Sequence, residues 1–543
     1  MVFARRSTTL LAAIIASCAM VLSLTACTSD NKTVVDGQTT VTSNSAGGVA
    51  VFTPSDGITL NQQVPLNKWA KLVPDLTKAL ADAGFKKGDI NHTTSDSLDK
   101  QSRAIQDFVV DHLSNNTTDD SGIAIAPDNM TLLVAPVVEA DASTRQYGDY
   151  ISQNLSTNDA TDEGATSDGE SSEDDSSKDD SSNTESDSTA SDEQAQAVDR
   201  LVSSLKLAKE SGMHVVLLGN SIEGYKPDAF VKFSDAQTIG KLQAEKMVSK
   251  LKLDKASKDN PKYIEVLLPY TAVDEKGNAN DSTFAQEAFR GIWQVLGSYY
   301  QKGVVESPSG TLDGKSTEND WQAVAYDAAK EGSTAKVLDK RLAKTDGQST
   351  LTRIDGIITM NDYIASEVVK ELDDLGYTGS AADINPQITI SGIVGNITGK
   401  KDLSRDAVPD PIKSPENDNA NDSSSSDDDA DEDTSASDKD RDSQWPLVTG
   451  YGAYVSNIPS IVNGKQWMTG MEDRQTIATD IAQACAKLNK DEALNSMPSI
   501  RNSEVGGVKK IPTISEPLLA VSASNLKSAL IDPGYISLAD AGL

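Results

Sequence analysis

Apolar residues along the chain fall into two alternating patterns. Short continuous runs bounded by Gly, Pro, Asn or Asp have the composition of strands buried on both faces, and stretches with apolar residues every three or four positions have that of amphipathic helices. The stretch FVKFSDAQTIGKLQAEKMV at 230–248 contains both. Phe230, Val231 and Phe233 form the strand, Ser234 and Asp235 are N-cap residue types, and Ile239, Leu242, Met247 and Val248 fall at helical spacing. This pattern predicts a join between two groups of strand–helix units, with a cleft between them able to hold a small ligand. The simpler alternative is one more βα unit inside a single large sheet.

On the N-terminal side of that join the pattern predicts strands at 48–53 and 88–94, and a third at either 123–125 or 132–138. Strand 215–218 follows. Helices are expected through Trp69, Leu72, Leu76 and Leu80, with Pro74 either kinking the helix or marking its first turn, and over 98–110 and 195–211. On the C-terminal side come strands at 263–268 and 354–359, strand-like runs at 388–394 and 446–449, and helices at 284–296, 321–330, 364–375 and 474–488. The alternation is that of an α/β fold with parallel sheets.

A length of 543 residues with 37% hydrophobic content suffices for two or three domains with real cores. The first residues add an address. Arg5 and Arg6 precede an apolar run from Leu10 to Leu24, and Leu24-Thr25-Ala26-Cys27 leads into a polar stretch. Residues 1–27 resemble a bacterial lipoprotein signal peptide with its lipobox, which implies cleavage before Cys27, lipid on its sulfur, and attachment to the extracytoplasmic face of the cell membrane. The run is short for a membrane-spanning anchor. Residues 28–47 read as a polar tether. With Cys18 in the leader and Cys27 lipidated, Cys485 is the one cysteine of the folded body, so no internal disulfide is expected. Its spacing with Ile477, Ile481 and Leu488 makes it a small apolar core residue.

The net charge of -33 is concentrated. Asp159 to Glu193 holds 14 acidic residues against Lys178, and Glu416 to Asp442 holds 12 against Lys439 and Arg441. Both blocks are Ser/Asp-rich and nearly free of apolar residues, so 157–194 and 403–444 read as disordered acidic inserts. They lack the Gly and terminal Glu register of a calcium loop, and their sign disfavours nucleic acid. His92, His112 and His214 have no metal-ligand spacing, and neither a G-x-S-x-G turn, a phosphate loop nor a thiol–base pair occurs. Neither an enzyme, a metal nor a cofactor is expected.

The order of segments resembles the type I periplasmic binding proteins, in their xylose-binding and multiple-monosaccharide-binding branch. The matching residues are Lys68-Trp69, Asp235 with Gly240-Lys241-Leu242-Gln243-Ala244, Thr359-Met360-Asn361-Asp362, and WPLVTG at 445–450 followed by IPSIVNG at 458–464 and Gln466. The tail adds Ile511-Pro512, Ser515 to Leu519, Val521, Asn525 and Gly534. The resemblance implies two doubly wound parallel-sheet lobes joined by a three-strand hinge. Lobe one would span 48–233, completed by 473–492, lobe two 234–472, and a tail over 493–543 would pack across both. It implies a monomer that binds a saccharide or similar small polar solute between the lobes and presents it to the permease and ATPase of an ABC importer.

Carried over by position, the ligand residues would be Lys68, Trp69, Asp235, Asn280, Asn361, Asp362, Tyr451 and Glu472. Other positions depart from the family pattern. Gly219-Asn220 replaces an Asp-Arg pair, Tyr451-Gly452 replaces Gln-Asp, and Glu472 stands where the family has Lys. Tyr451 and Tyr454 are candidates to fill space a carboxylate would serve. Each residue also has a plainer reading: Trp69 as core, Asp235 and Asn361-Asp362 as helix caps, and Arg290 as a helix-surface residue. The departures leave room for a second function, a binding fold without transport that acts as a surface sensor or interaction lipoprotein.

Overall fold

Seven strands, among the residues described, line up in the larger of two main sheets, and the run of apolar side chains in each explains why. The computed structural model describes residues 34–35, 38–39, 46–55, 65–115, 125–138, 144–157, 185–273, 280–343, 350–382 and 442–543. The chain divides into two units, Met1–Asn44 and Ser45–Leu543. In the first, Val34–Val35 pairs antiparallel with Gln38–Thr39. All that follows concerns the second.

The elements of the first lobe are β1 (Gly48–Pro54), α1 (Trp69–Asp82), β2 (Ile90–Ser95), α2 (Leu98–Asn115), β3 (Met130–Val134), α3 (Glu185–Glu210), β4 (His214–Leu218) and β5 (Ala229–Lys232). Those of the second are α4 (Ala236–Leu251), β6 (Lys262–Val266), α5 (Thr283–Gln301), β7 (Val305–Glu306), α6 (Ser333–Arg341), β8 (Gly356–Ile358), α7 (Asp362–Leu375) and β9 (Leu447–Val448). The chain ends with β10 (Met468–Met471), α8 (Arg474–Leu488), β11 (Ile500–Val505), β12 (Val508–Ser515) and β13 (Leu519–Ser522).

The larger sheet has the order β11-β12-β5-β4-β3-β1-β2, parallel except where β11 meets β12. Its two faces take alternate residues of each strand, as pleating requires. Val49, Val51, Leu133, Val216 and Leu218 pack under α1 and α8, while Ala50, Phe52, Leu132, Val134, Val215 and Leu217 pack under α2 and α3. Helices on both faces make it doubly wound, and Cys485 is buried under the first face. The smaller parallel sheet has the order β7-β6-β8-β9, covered by α4, α5, α6 and α7. Gly240 lets α4 and α5 approach closely, because a Cβ there would lie 2.2 Å from the Ala288 carbonyl oxygen.

Three connections run between the sheets. Phe233–Asp235 leads from β5 into α4, β10 leads into α8, and β12 leads into β13, which pairs antiparallel with β10. The α/β class is therefore as the apolar pattern predicts, and of its two alternatives, two groups of strands or one large sheet, the chain has the first, as the resemblance implies. Several bounds differ. The third strand is Met130–Val134, which overlaps the alternative at 132–138, while most of the alternative at 123–125 lies outside the described residues; α3 begins at Glu185, ten residues inside the expected acidic insert. The helix expected over 321–330 is a single turn, Trp321–Val324, because the Asp327 carboxylate accepts from the Thr271 hydroxyl and the Ala329 amide and turns the chain. Pro74 is the sixth residue of α1, past its first turn. Of the two strand-like runs before the hinge, 446–449 contributes β9 beside β8, and 388–394 lies outside the described residues. No described helix is long and apolar enough to cross a membrane.

Candidate functional site

In open parallel sheets ligands bind where strand C-terminal ends meet a crevice. Here the segments that follow β1, β4, β8 and β9 converge on one seam between the lobes. The Leu66 amide donates to Gly452 O at 2.9 Å, and the Glu472 amide reaches Asn67 Oδ1 at 3.5 Å. Two non-glycine residues in these segments, Met360 (φ 67) and Ala453 (φ 49), have left-handed backbone, a conformation that costs about 1–3 kcal/mol each. Neighbours hold them there. Gln243 Nε2 donates to Met360 O at 3.0 Å while its Oε1 accepts from Thr449 Oγ1 at 2.6 Å, and the Ala453 amide donates to Thr469 Oγ1 at 3.1 Å.

The eight predicted ligand residues divide into three groups. Asp362 and Glu472 are buried carboxylates. Asp362 accepts from the Tyr454 amide (2.9 Å), Gln466 Nε2 (2.7 Å) and Thr469 Oγ1 (2.9 Å), and burial nevertheless pushes its pKa up to about 6. Glu472 Oε1 accepts from the Ser234 amide at 2.6 Å, and burial, partly offset by Ser234, pushes its pKa up to about 7. Tyr451, wholly buried, bonds through its hydroxyl to Ser234 Oγ, and burial together with the nearby Glu472 raises its pKa well above the usual phenol range.

Asp235 and Asn280 are engaged locally. Asp235 caps α4 by accepting from the Thr238 amide at 2.7 Å and pairs with Lys232 at 2.9 Å. Burial opposes its ionisation, but Thr238 and Lys232 outweigh that and hold the carboxyl below its ordinary range. Asn280 donates through its side chain to Thr271 O and accepts at its carbonyl from Tyr270. Asp235→Ala is expected to lower stability by about 1 kcal/mol through loss of the cap, read as a drop in the urea midpoint with unchanged slope.

The remaining four, Lys68, Trp69, Asn361 and Tyr451, meet a segment of the chain itself. Residues 144–157 follow β3 and enter the seam. Asp149 Oδ1 pairs with Lys68 Nζ at 2.6 Å, and its Oδ2 accepts from the Trp69 amide at 3.1 Å. Tyr150 stacks on Phe233 (4.7 Å between centroids) and meets Trp69 edge-on (5.1 Å), so Trp69 is a core residue, 3% exposed. Across the seam, Asn361 Nδ2 donates to Gln146 Oε1 at 3.2 Å while its own Oδ1 caps α7 through the Ile364 amide. The Tyr147 ring lies 4.6 Å from Phe284 of α5 and 6.2 Å from Tyr451. Tyr454, expected to fill space in the seam, donates its hydroxyl to Gln146 O at 2.7 Å.

Sequence reasoning did not find Asn67, Gln146, Tyr147, Asp149, Tyr150 or the supporting role of Gln243. TRQYGDYIS has neither a strand nor a helix period, and the remaining signal is two tyrosines three apart around a glycine, in an otherwise polar connection. Asn220, at a position where the family pattern has a charged ligand, instead orders this segment by accepting from the Gln153 amide at 3.0 Å.

No protein-family model matches the chain, and no curated protein sequence does. Among solved structures it is similar to an ABC transporter solute-binding protein from Clostridium phytofermentans with bound β-D-glucose, with 16% identity over 91% of this chain and 99% of that one and a TM-score of 0.43. A carbohydrate transporter solute-binding protein from Chloroflexus aurantiacus in complex with D-glucose is 18% identical over 92% and 98%, TM-score 0.42. A periplasmic ribose ABC transporter protein from Conexibacter woesei is 13% identical over 90% and 96%, TM-score 0.41.

Proposed function

We propose that the chain is a two-lobed binding protein for a small polar solute, most simply a saccharide, held on the extracytoplasmic face of the cell membrane by lipid on Cys27 and serving the permease and ATPase of an ABC importer. The observation that supports this reading is the convergence of polar groups from both lobes on one seam. Ser234 and Glu472 bond to each other at the crossings, the Glu472 amide reaches Asn67 Oδ1 of the first lobe, and Asn361, after β8 of the second, donates to Gln146 in the same seam. Such groups, satisfied by one hydroxyl pattern and left unpaired by another, are what selective sugar binding requires.

A second reading has its own observation. Gln146 to Tyr150 already contact Lys68, Trp69, Asn361 and Tyr451, which favours a binding fold without transport that acts as a surface sensor or interaction lipoprotein.

Thermal unfolding of the full chain with D-glucose, D-ribose, L-arabinose and D-xylose separates the two. A solute held by the folded state alone stabilises it by about 2.7 kcal/mol at a hundredfold excess over Kd. Stabilisation by one of these sugars and not the others supports the first reading. No shift from any of them, with no membrane permease recovered on cross-linking in cells, supports the second.

A further inference from the structure

We propose that residues 144–155 are a built-in occupant of the seam, which holds the two lobes shut in the absence of any solute and must withdraw before a solute can enter. The proposal deepens the solute-binding reading and rests on it for the identity of the seam, though the clamping of the lobes can be measured without any ligand.

The segment touches both lobes with alternate parts of itself. Tyr147 and Ile151 belong to the apolar core of the second lobe, packed with Phe284, Tyr451 and their neighbours, while Tyr150 belongs to that of the first, with Trp69 and Phe233. Side chains three residues apart, and even adjacent ones, are thus buried in two different cores. Opening the seam must extract one set or the other.

Polar contacts repeat the pattern. Asp149 is held by Lys68 and the α1 N-terminus, and the Tyr150 hydroxyl donates to Lys68 O at 2.6 Å, on the first lobe. Gln146 is held by Asn361 and Tyr454, on the second. The Ser152 amide lies 3.4 Å from Ser234 O at the first crossing, so the segment also touches a hinge. Its far end, Asn154–Leu155, pairs in parallel with Ser221–Ile222 and returns to the first lobe.

The backbone is shaped for this place. Gly148 has φ +95, and a Cβ there would lie 2.4 Å from Asn67 O, so no other residue fits the bend that separates the two tyrosines. The Gln146 carboxamide oxygen accepting from Asn361, its carbonyl accepting from Tyr454, and an aromatic ring between Phe284 and Tyr451 are also the kinds of contact a polar ring-shaped solute would make. The segment therefore competes with such a solute for the same partners.

The test uses the full chain without ligand, as the natural protein and as the variants Tyr147→Ala and Gly148→Ala, followed by amide hydrogen exchange and small-angle X-ray scattering. Loss of one buried aromatic is expected to speed exchange about a hundredfold in 144–155 and in the crossings at 232–236 and 468–472, with β1, β3 and β4 still protected and a larger radius of gyration. Faster exchange confined to 144–155 with unchanged dimensions overturns the proposal, because the segment would then be an attached loop that clamps nothing. Loss of protection throughout Tyr147→Ala overturns it only if Gly148→Ala, which keeps every apolar group, does the same. D-Glucose added to an opened variant reports separately on the solute-binding reading, since the scattering result stands whether or not it binds.

Discussion

Asp362→Ala is expected to remove about 4 kcal/mol of stability, since buried donors left without an acceptor cost about 1–3 kcal/mol each. The Asp362 carboxylate is the shared acceptor for the Tyr454 amide, Gln466 Nε2 and Thr469 Oγ1, which arrive from the segment after β9, the approach to β10, and β10 itself. It thereby pins the second lobe's strand ends to a hinge strand. Asp362→Asn should be intermediate, because the amide keeps one acceptor but turns its NH2 toward a donor. Urea unfolding measures both, and a loss below about 1 kcal/mol for the alanine variant would mean that these donors find water instead.

The second large effect is on pH. Glu472 has its pKa raised from 4.5 to about 7 by burial, so the folded state holds its proton over a range where the unfolded chain has released it. Its contribution is fully present below about pH 4.5, declines as pH rises through 7, and is gone by about pH 8. At about 1.36 kcal/mol per pH unit the full contribution is about 3 kcal/mol. Asp362, raised to about 6, acts in the same direction at lower pH. His92 and His112, whose pKa values burial lowers, oppose this trend by losing stability as pH falls. The informative quantity is therefore the difference between the natural chain and Glu472→Gln, whose amide oxygen can still accept from the Ser234 amide. That difference should shrink by about 3 kcal/mol between pH 4 and pH 8. An unchanged difference would place Glu472 in contact with water.

Much of the fold was legible because parallel strands covered on both faces need apolar residues at nearly every position. VAVF at 49–52, HVVLL at 214–218 and AFVK at 229–232 announce themselves, and the join at Ser234-Asp235 was found from the strand run before it, the cap residue types and the helical spacing after it. Composition misled at the start of α3. Glu185 to Gln194 looks like the acidic run before it, yet the chain there is already helical, since helix formation tolerates polar faces that core burial does not. The candidate site was legible as a set of positions but not as an arrangement. Lys68, Trp69, Asn361 and Tyr451 do come together, around Gln146 to Tyr150 and through contacts that depend on a single left-handed glycine, which leaves no period in the sequence.

The place of β12 in the larger sheet has a consequence for how the protein comes into being. It lies between β11 and β5, so the sheet that opens with residue 48 cannot be completed until residue 515 has been delivered. A polypeptide emerging from its N-terminus would have to keep the apolar strands of its first half waiting while the second lobe, continuous in sequence, assembles. Pairings this distant are slow to form, and the half-built sheet would meanwhile offer the edge of β5 to any neighbouring chain.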